Sequence, residues 1–107
     1  MLAKKYRLPI QSFIKKSGRS FRGHYFLFKI APNNLAFNRF GIIISKKVDT
    51  KSTARNKLKR LMFDAVKEFL VSAKAHADFL IIVSPNIMNL NPEEIKKELK
   101  NTIKNYV

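Results

Sequence analysis

Ala54-Arg55-Asn56-Lys57-Leu58-Lys59-Arg60-Leu61-Met62-Phe63 is the stretch on which the reading of this chain turns. At about 100° per residue its polar and apolar positions separate onto two sides of a helix. Arg55, Lys59, Asn56 and Arg60 fall in one arc, joined by Lys67 further on. Leu58, Leu61, Met62, Ala65 and Phe69 fall in the opposite arc. The pattern predicts a helix over roughly 53–75, capped by Ser52 or Thr53. An apolar stripe docks such a helix on a core, and a cationic stripe on its back holds a polyanion. Lys57 falls at the edge of the arc, beside Asp64 and Glu68. Phe63 falls inside the basic arc, where packing onto a neighbouring element and stacking on an unpaired base are both open.

Working outward, Arg39 to Ser45 is β-branched at its centre and predicts a strand. Tyr25 to Ile30 predicts another by its aromatic content, and Arg19 to Arg22 a short edge strand. Pro32-Asn33-Asn34 is a turn signal. Pro9 opens a short helix with Ile10, Phe13 and Ile14 on one face, ended by Gly18. Residues 1–8 are expected as a flexible basic N-terminus. On the other side, Phe79 to Val83 is a continuous apolar run, expected as a strand buried on both faces. Asn91 is the expected N-cap of a last helix, with Pro92 at its first position and Glu93 and Glu94 in its first turn. Ile95, Leu99 and Ile103 form that helix's apolar stripe. Helix, two or three strands, helix, strand, helix is the order of an α+β sandwich, a single domain over 1–107.

The chain carries 22 Lys+Arg against 7 Asp+Glu, a formal net charge of +15, within a composition that is 46% hydrophobic. It can therefore fold, and its charge excess needs an anionic partner to offset self-repulsion. RNA is the expected partner. An ordinary solvated helix face normally mixes signs, and this one does not: Lys46, Lys47 and Lys51 add to it from upstream. A membrane-surface protein would need exposed aromatic and aliphatic residues beside its lysines, whereas the large apolar residues here are required for the core. No run is long enough to span a bilayer, and no signal peptide is apparent at the start. The absence of cysteine excludes disulfides and thiolate metal sites and fits a cytoplasmic location. His24 and His76 are isolated and the acids are scattered, so no protein-borne set for metal-assisted hydrolysis emerges. The three glycines make no phosphate-cradling loop. No catalytic residue and no bound metal are expected in the protein itself.

Ser45-Lys46-Lys47-Val48, a short spacer, then Arg55-Asn56-Lys57-Leu58-Lys59-Arg60-Leu61 resembles the protein subunit of bacterial ribonuclease P. The likeness runs from Arg7-Leu8-Pro9 to the last helix, and its specific part is 39–63. Lys57 and Phe63 stand where the family commonly has arginine. The resemblance implies an α-β-β-β-α-β-α two-layer sandwich with a left-handed crossover through the long helix. It implies that a catalytic RNA subunit, using Mg²⁺ held through that RNA, removes the 5′ leader of precursor tRNA. The protein would assist by binding the RNA through Lys46, Lys47, Lys51, Arg55, Asn56, Lys57, Lys59 and Arg60. The resemblance further implies a cleft for the single-stranded leader, lined by Phe13, Phe26 and Phe28. Aromatics on one strand face more often form core. The rival reading is a structured-RNA-binding protein of ribosomal type without associated nuclease activity.

Overall fold

The apolar run at Phe79 forms the middle of a four-stranded sheet. The computed structural model describes residues 4–10, 19–70 and 76–105. Its strands are β1 (Arg19–Arg22), β2 (Phe26–Pro32), β3 (Arg39–Ile43) and β4 (Ala77–Val83), in the spatial order β1-β2-β4-β3. β4 pairs antiparallel with β2 and parallel with β3. A strand with neighbours at both edges and cover on both faces has almost no solvent side, which accounts for its unbroken apolar sequence. A parallel neighbour requires a crossover, and α1 (Ser52–Val66) supplies it between β3 and β4. α2 (Pro92–Lys104) follows β4 after a 3₁₀ turn over Pro85–Asn89.

Period-two alternation divides the sheet into two faces. Phe26, Phe28, Phe40, Ile42, Phe79, Ile81 and Val83 pack in one core cluster with Met62, Phe63 and Val66 of α1 and Ile95, Leu99 and Ile103 of α2. The stripe expected on the last helix is therefore the one that packs. On the second face Leu8 clusters with Ala31 and Leu80, with Ile10, Ile43 and Ile82 packed against them. The Leu8 N–H donates to the Phe40 carbonyl at 2.9 Å, so the N-terminal segment also covers the outer edge of β3. Gly41 permits this approach: a Cβ there would lie 3.3 Å from the Leu8 Cβ.

The helix ends follow their hydrogen bonds. Asn91 accepts the Glu94 N–H at 2.8 Å and donates its own N–H to Glu94 Oε1 at 3.0 Å, a reciprocal capping box. α1 is shorter than its periodicity suggests. It stops at Val66, and a 3₁₀ turn over Lys67–Phe69 follows. The carbonyls of Phe69 and Leu70 accept instead from Asn38, through its side-chain Nδ2 at 2.6 Å and its backbone N–H at 2.7 Å. Residues 71–75 of the expected helix, and 11–18 of the first one, lie outside the described residues. The remaining strand differences are at ends: β2 runs on to Pro32, β3 stops two residues earlier than Ser45, and β4 begins at Ala77.

One buried ion pair ties the β2–β3 turn to β4. Asp78 is 0% exposed, and Arg39 faces it in register across the parallel pair. Arg39 Nε donates to Oδ1 at 2.8 Å and Nη2 to Oδ2 at 2.7 Å. Asn33 Nδ2 adds a third bond to Oδ1 at 3.0 Å and a second to the Phe37 carbonyl at 3.1 Å. Hydrogen bonding to Asp78 raises the pKa of the Arg39 guanidinium above its ordinary value, with partial burial acting the other way. Asp78→Ala should cost about 3 kcal/mol, the low end for breaking a buried pair because Arg39 keeps some access to water. Chemical denaturation reads this directly; a loss below about 1 kcal/mol would contradict the assigned role.

Candidate nucleic-acid interface

The basic surface begins where β3 ends. Ser45 to Val48 forms a turn closed by the Val48 N–H on the Ser45 carbonyl at 3.1 Å. Val48 is buried, which anchors the turn and leaves Lys46 and Lys47 exposed beside it. Asp49 Oδ1 then accepts the Lys51 N–H at 2.9 Å, and α1 starts at Ser52. Lys51 holds the N-cap position, with no side-chain cap and no acid in the first turn. Ser52 and Thr53 thus lie inside the helix and do not cap it. The first N–H groups of α1, and the positive end of its dipole, therefore lack a side-chain acceptor beside Lys51.

Along α1 the exposed side lies further round than the wheel predicts. Asn56, Lys57 and Arg60 are exposed, whereas Arg55 and Lys59 are half-buried. The reason is Phe63. It is 5% exposed and belongs to the core cluster, so the second half of the helix turns that part of the arc inward with Val66. Phe63 packs and offers no face to a base. Arg55 also holds the backbone before it. Its Nη1 donates to the carbonyls of Asp49 at 2.9 Å and Thr50 at 3.0 Å, fastening that loop to the helix. Lys57, the marginal member in sequence, is exposed.

Between Ser45 and Phe63 the chain has seven basic residues and one acid, so this surface is strongly positive. The acids further along, Asp64 of α1 and Glu68 of the following 3₁₀ turn, are occupied. Asp64 pairs with Lys67 at 3.3 Å and with Lys96 of α2 at 3.7 Å, and Glu68 pairs with Lys100 at 3.0 Å. Hydrogen bonding and charge from Lys67, helped by Lys96, hold the Asp64 carboxyl below the usual carboxylate range. These pairs keep the negative charges from facing the cationic end. Among the described residues no group of three His, Asp or Glu side chains converges as a metal site would require.

Beside this surface lies a groove of about 310 Å³ that the sequence did not suggest. Val48, Leu58, Leu61, Leu90 and Ile95 line it, with Met88 beside them; Arg55, Lys57 and Asp49 stand among its polar lining. Its apolar members come from three separated segments, so no periodicity exposes it.

Phe26 and Phe28 do not line a cleft. They share a face, at an edge-on ring distance of 5.7 Å, but it is the face under the helices. They are 2% and 1% exposed and cannot meet a ligand. Phe13 lies outside the described residues. The other face of β2 carries Leu27 and Lys29, both half-buried, paired in register with Arg22 and Ser20 of β1 and with Ile82 and Leu80 of β4.

A family model described as Ribonuclease P matches residues 4–107. The chain belongs to the ribonuclease P family. It is 33% identical over 99 residues to the ribonuclease P protein component of Microcystis aeruginosa, covering 90% of this chain and 82% of that protein. The corresponding protein of Fusobacterium nucleatum is 33% identical over 92 residues, covering 82% of each. Among solved structures, a Staphylococcus aureus RNase P protein mutant with defective mRNA degradation activity superposes with a TM-score of 0.80 at 26% identity, over 94% of this chain and 87% of that one. The Thermotoga maritima RNase P protein, in complex with 1-(4-fluorophenyl)-2-thiourea, gives 0.77 at 26% identity, over 92% and 97%. The α+β sandwich is thus a ribonuclease P protein fold. Within it, Phe63 stands where the resemblance implies an arginine and serves as core.

Lys57→Ala with Arg60→Ala should weaken binding to structured RNA while leaving the thermal midpoint unchanged, because both side chains are exposed and Ala is the best helix former. For every phosphate these side chains neutralise, the log–log salt slope should flatten by about 0.9 on duplex and about 0.7 on single strands. Titrations at several salt concentrations measure both quantities; an unaltered slope would remove this helix from the interface. Arg55→Ala differs in lowering the midpoint as well, since it releases the Asp49–Thr50 loop.

Proposed function

We propose that this chain is the protein component of a ribonuclease P that assists a catalytic RNA in removing the 5′ leader from precursor tRNA. The observation that carries the reading is the strongly basic surface from Lys46 to Arg60, with Asp49 its one acid, backed by the core and facing away from it. Such a surface binds an RNA backbone and contributes little chemistry of its own. Four of the seven acids are committed elsewhere: Asp78 to Arg39, Asp64 to Lys67 and Lys96, Glu68 to Lys100, Glu94 to the α2 cap. The described side chains do not fit a two-metal hydrolytic site. Mg²⁺ in this reading is held by the RNA, where it supplies Lewis-acid and nucleophile-activating chemistry.

The leader, in the same reading, lies on the second sheet face and not against Phe26 and Phe28. Leu27 and Ile82 supply half-buried apolar surface there, and Lys29 and Arg22 supply charge. Cations where leader and RNA converge lower phosphate repulsion and so reduce how much Mg²⁺ is needed.

The test is cleavage of precursor tRNA against Mg²⁺ concentration, with protein alone, RNA alone and both together. Protein alone should not cut, and addition of protein to a catalytic RNA should shift the activity to lower Mg²⁺. Lys29→Ala should weaken binding of leader-bearing substrate more than of mature tRNA. Cleavage by pure protein, lost on substituting one of its acids, would overturn the assignment of catalysis to RNA. No effect on an active RNA would favour the ribosomal-type reading.

A further inference from the structure

We propose that the groove between α1 and the Pro85–Asn89 turn receives one unpaired base of the bound RNA, an inference that rests on the RNA-binding reading. The groove combines two properties. Its lining is apolar, with Leu58, Leu61 and Leu90 half-buried and Met88 54% exposed. Lys57 and Arg55, from the surface assigned to phosphate, also contribute to its lining. A nucleotide has the matching pair of properties: an anionic phosphate and a flat ring whose faces are apolar.

The remaining chemistry fits. Arg55 spends Nη1 on the Asp49 and Thr50 carbonyls; its Nε and Nη2 have no partner among the described residues. They remain available for a phosphate, for which a guanidinium is suited. Asp49, the one acid in the lining, is tied through Oδ1 to the Lys51 N–H. The Met88 thioether is flexible and polarisable, and such groups make favourable contacts with aromatic rings. At about 310 Å³ the groove is at the small end of ligand pockets, suited to one base and not to a run of stacked ones. Charge complementarity selects a nucleic acid over a second copy of this chain, whose +15 charge would repel it.

The chain has three methionines, of which Met62 is 0% exposed and Met88 is open, so methyl labelling of methionine gives both a reporter and an internal control. The protein is titrated at low salt with hexaadenylate and with a hexamer of the same phosphate number that lacks bases. Hexaadenylate should move the Met88 methyl by a ring-current shift that the abasic hexamer does not produce, while Met62 stays in place. Ala54 of α1 also lines the groove, and Ala54→Leu, which fills it, should abolish that shift and reduce affinity for hexaadenylate about three- to tenfold, with the midpoint showing that the variant is folded. Equal Met88 shifts from both hexamers, or unchanged hexaadenylate affinity in folded Ala54→Leu, would overturn the groove and leave the RNA-binding reading standing. Binding of neither hexamer would overturn both. A Met88 shift that follows protein concentration without RNA would make the groove a contact between copies and end the proposal.

Discussion

The bidentate pair of Arg39 with the buried Asp78 is the constraint around which this fold is arranged. A carboxylate removed from water is tolerable only when its oxygens are occupied by well-placed donors. Arg39 and Asn33 meet that condition, and in doing so they fix two relations at once. Arg39 and Asp78 set the register of a parallel strand pair, which has no hairpin to set it. Asn33 holds the turn before it, where Asn34 takes a left-handed φ of 56°. Asn38, next to Arg39, donates to the end of the α1 region and accepts the Ala77 N–H at 2.9 Å. A polar knot at one end of the sheet therefore decides where β3, β4 and the helix between them lie.

The proposed RNA surface is at the opposite end of the same crossover. β3 runs from Arg39 toward Ser45, and the chain emerges there into the Lys46–Lys47 turn and the start of α1. Because β3 and β4 are parallel, α1 must return along the sheet, and most of its apolar side is consumed in that return, with Leu58 and Leu61 left half-buried. What it keeps for solvent is concentrated near its N-terminus: Asn56, Lys57 and Arg60, beside an uncapped first turn. The knot and the interface are separate in chemistry but joined by topology. A slip of one residue in the β3–β4 register would move Phe40 and Ile42 off the core face and displace the whole basic surface.

Most of the architecture is legible in the sequence because periodicity reports burial. The Phe79 run, the Ile95-Leu99-Ile103 stripe and the Asn91 cap each rest on a local pattern with one physical solution. What escapes it is everything decided by a distant partner. The wheel assigns Phe63 to the basic arc because it counts angles on α1 alone, and the core reaches further round the helix than one stripe. Alternation places Phe26 and Phe28 on a shared face, as the structure does. Which side of the sheet the helices cover is a tertiary fact, and it reverses the meaning of that face. Ser52 and Thr53 are chemically suitable caps, but Asp49 and Arg55 organise the preceding loop so that the helix begins one residue before Thr53. The groove, made by Val48, Leu58, Met88 and Ile95, has no sequence signature because its walls are far apart in the chain.

The distribution of the few acids is the last piece of the physical logic. A net charge of +15 on 107 residues opposes the compact state. Seven acids cannot neutralise it, so their placement matters more than their number. Asp64 and Glu68 are set against Lys67, just past α1, and Lys96 and Lys100 of α2, relieving repulsion inside the helical layer. Glu93 and Glu94 sit at the positive end of α2, where carboxylates are stabilised by the helix dipole. α1 has the reverse arrangement: four cations in its first three turns and no acid before Asp64. That end is electrostatically unfavourable in the free protein and becomes favourable only with an anion against it. The two helices thus differ at their N-termini, with α2 capped by its own residues and α1 carrying no side-chain cap and no acid in its first turn.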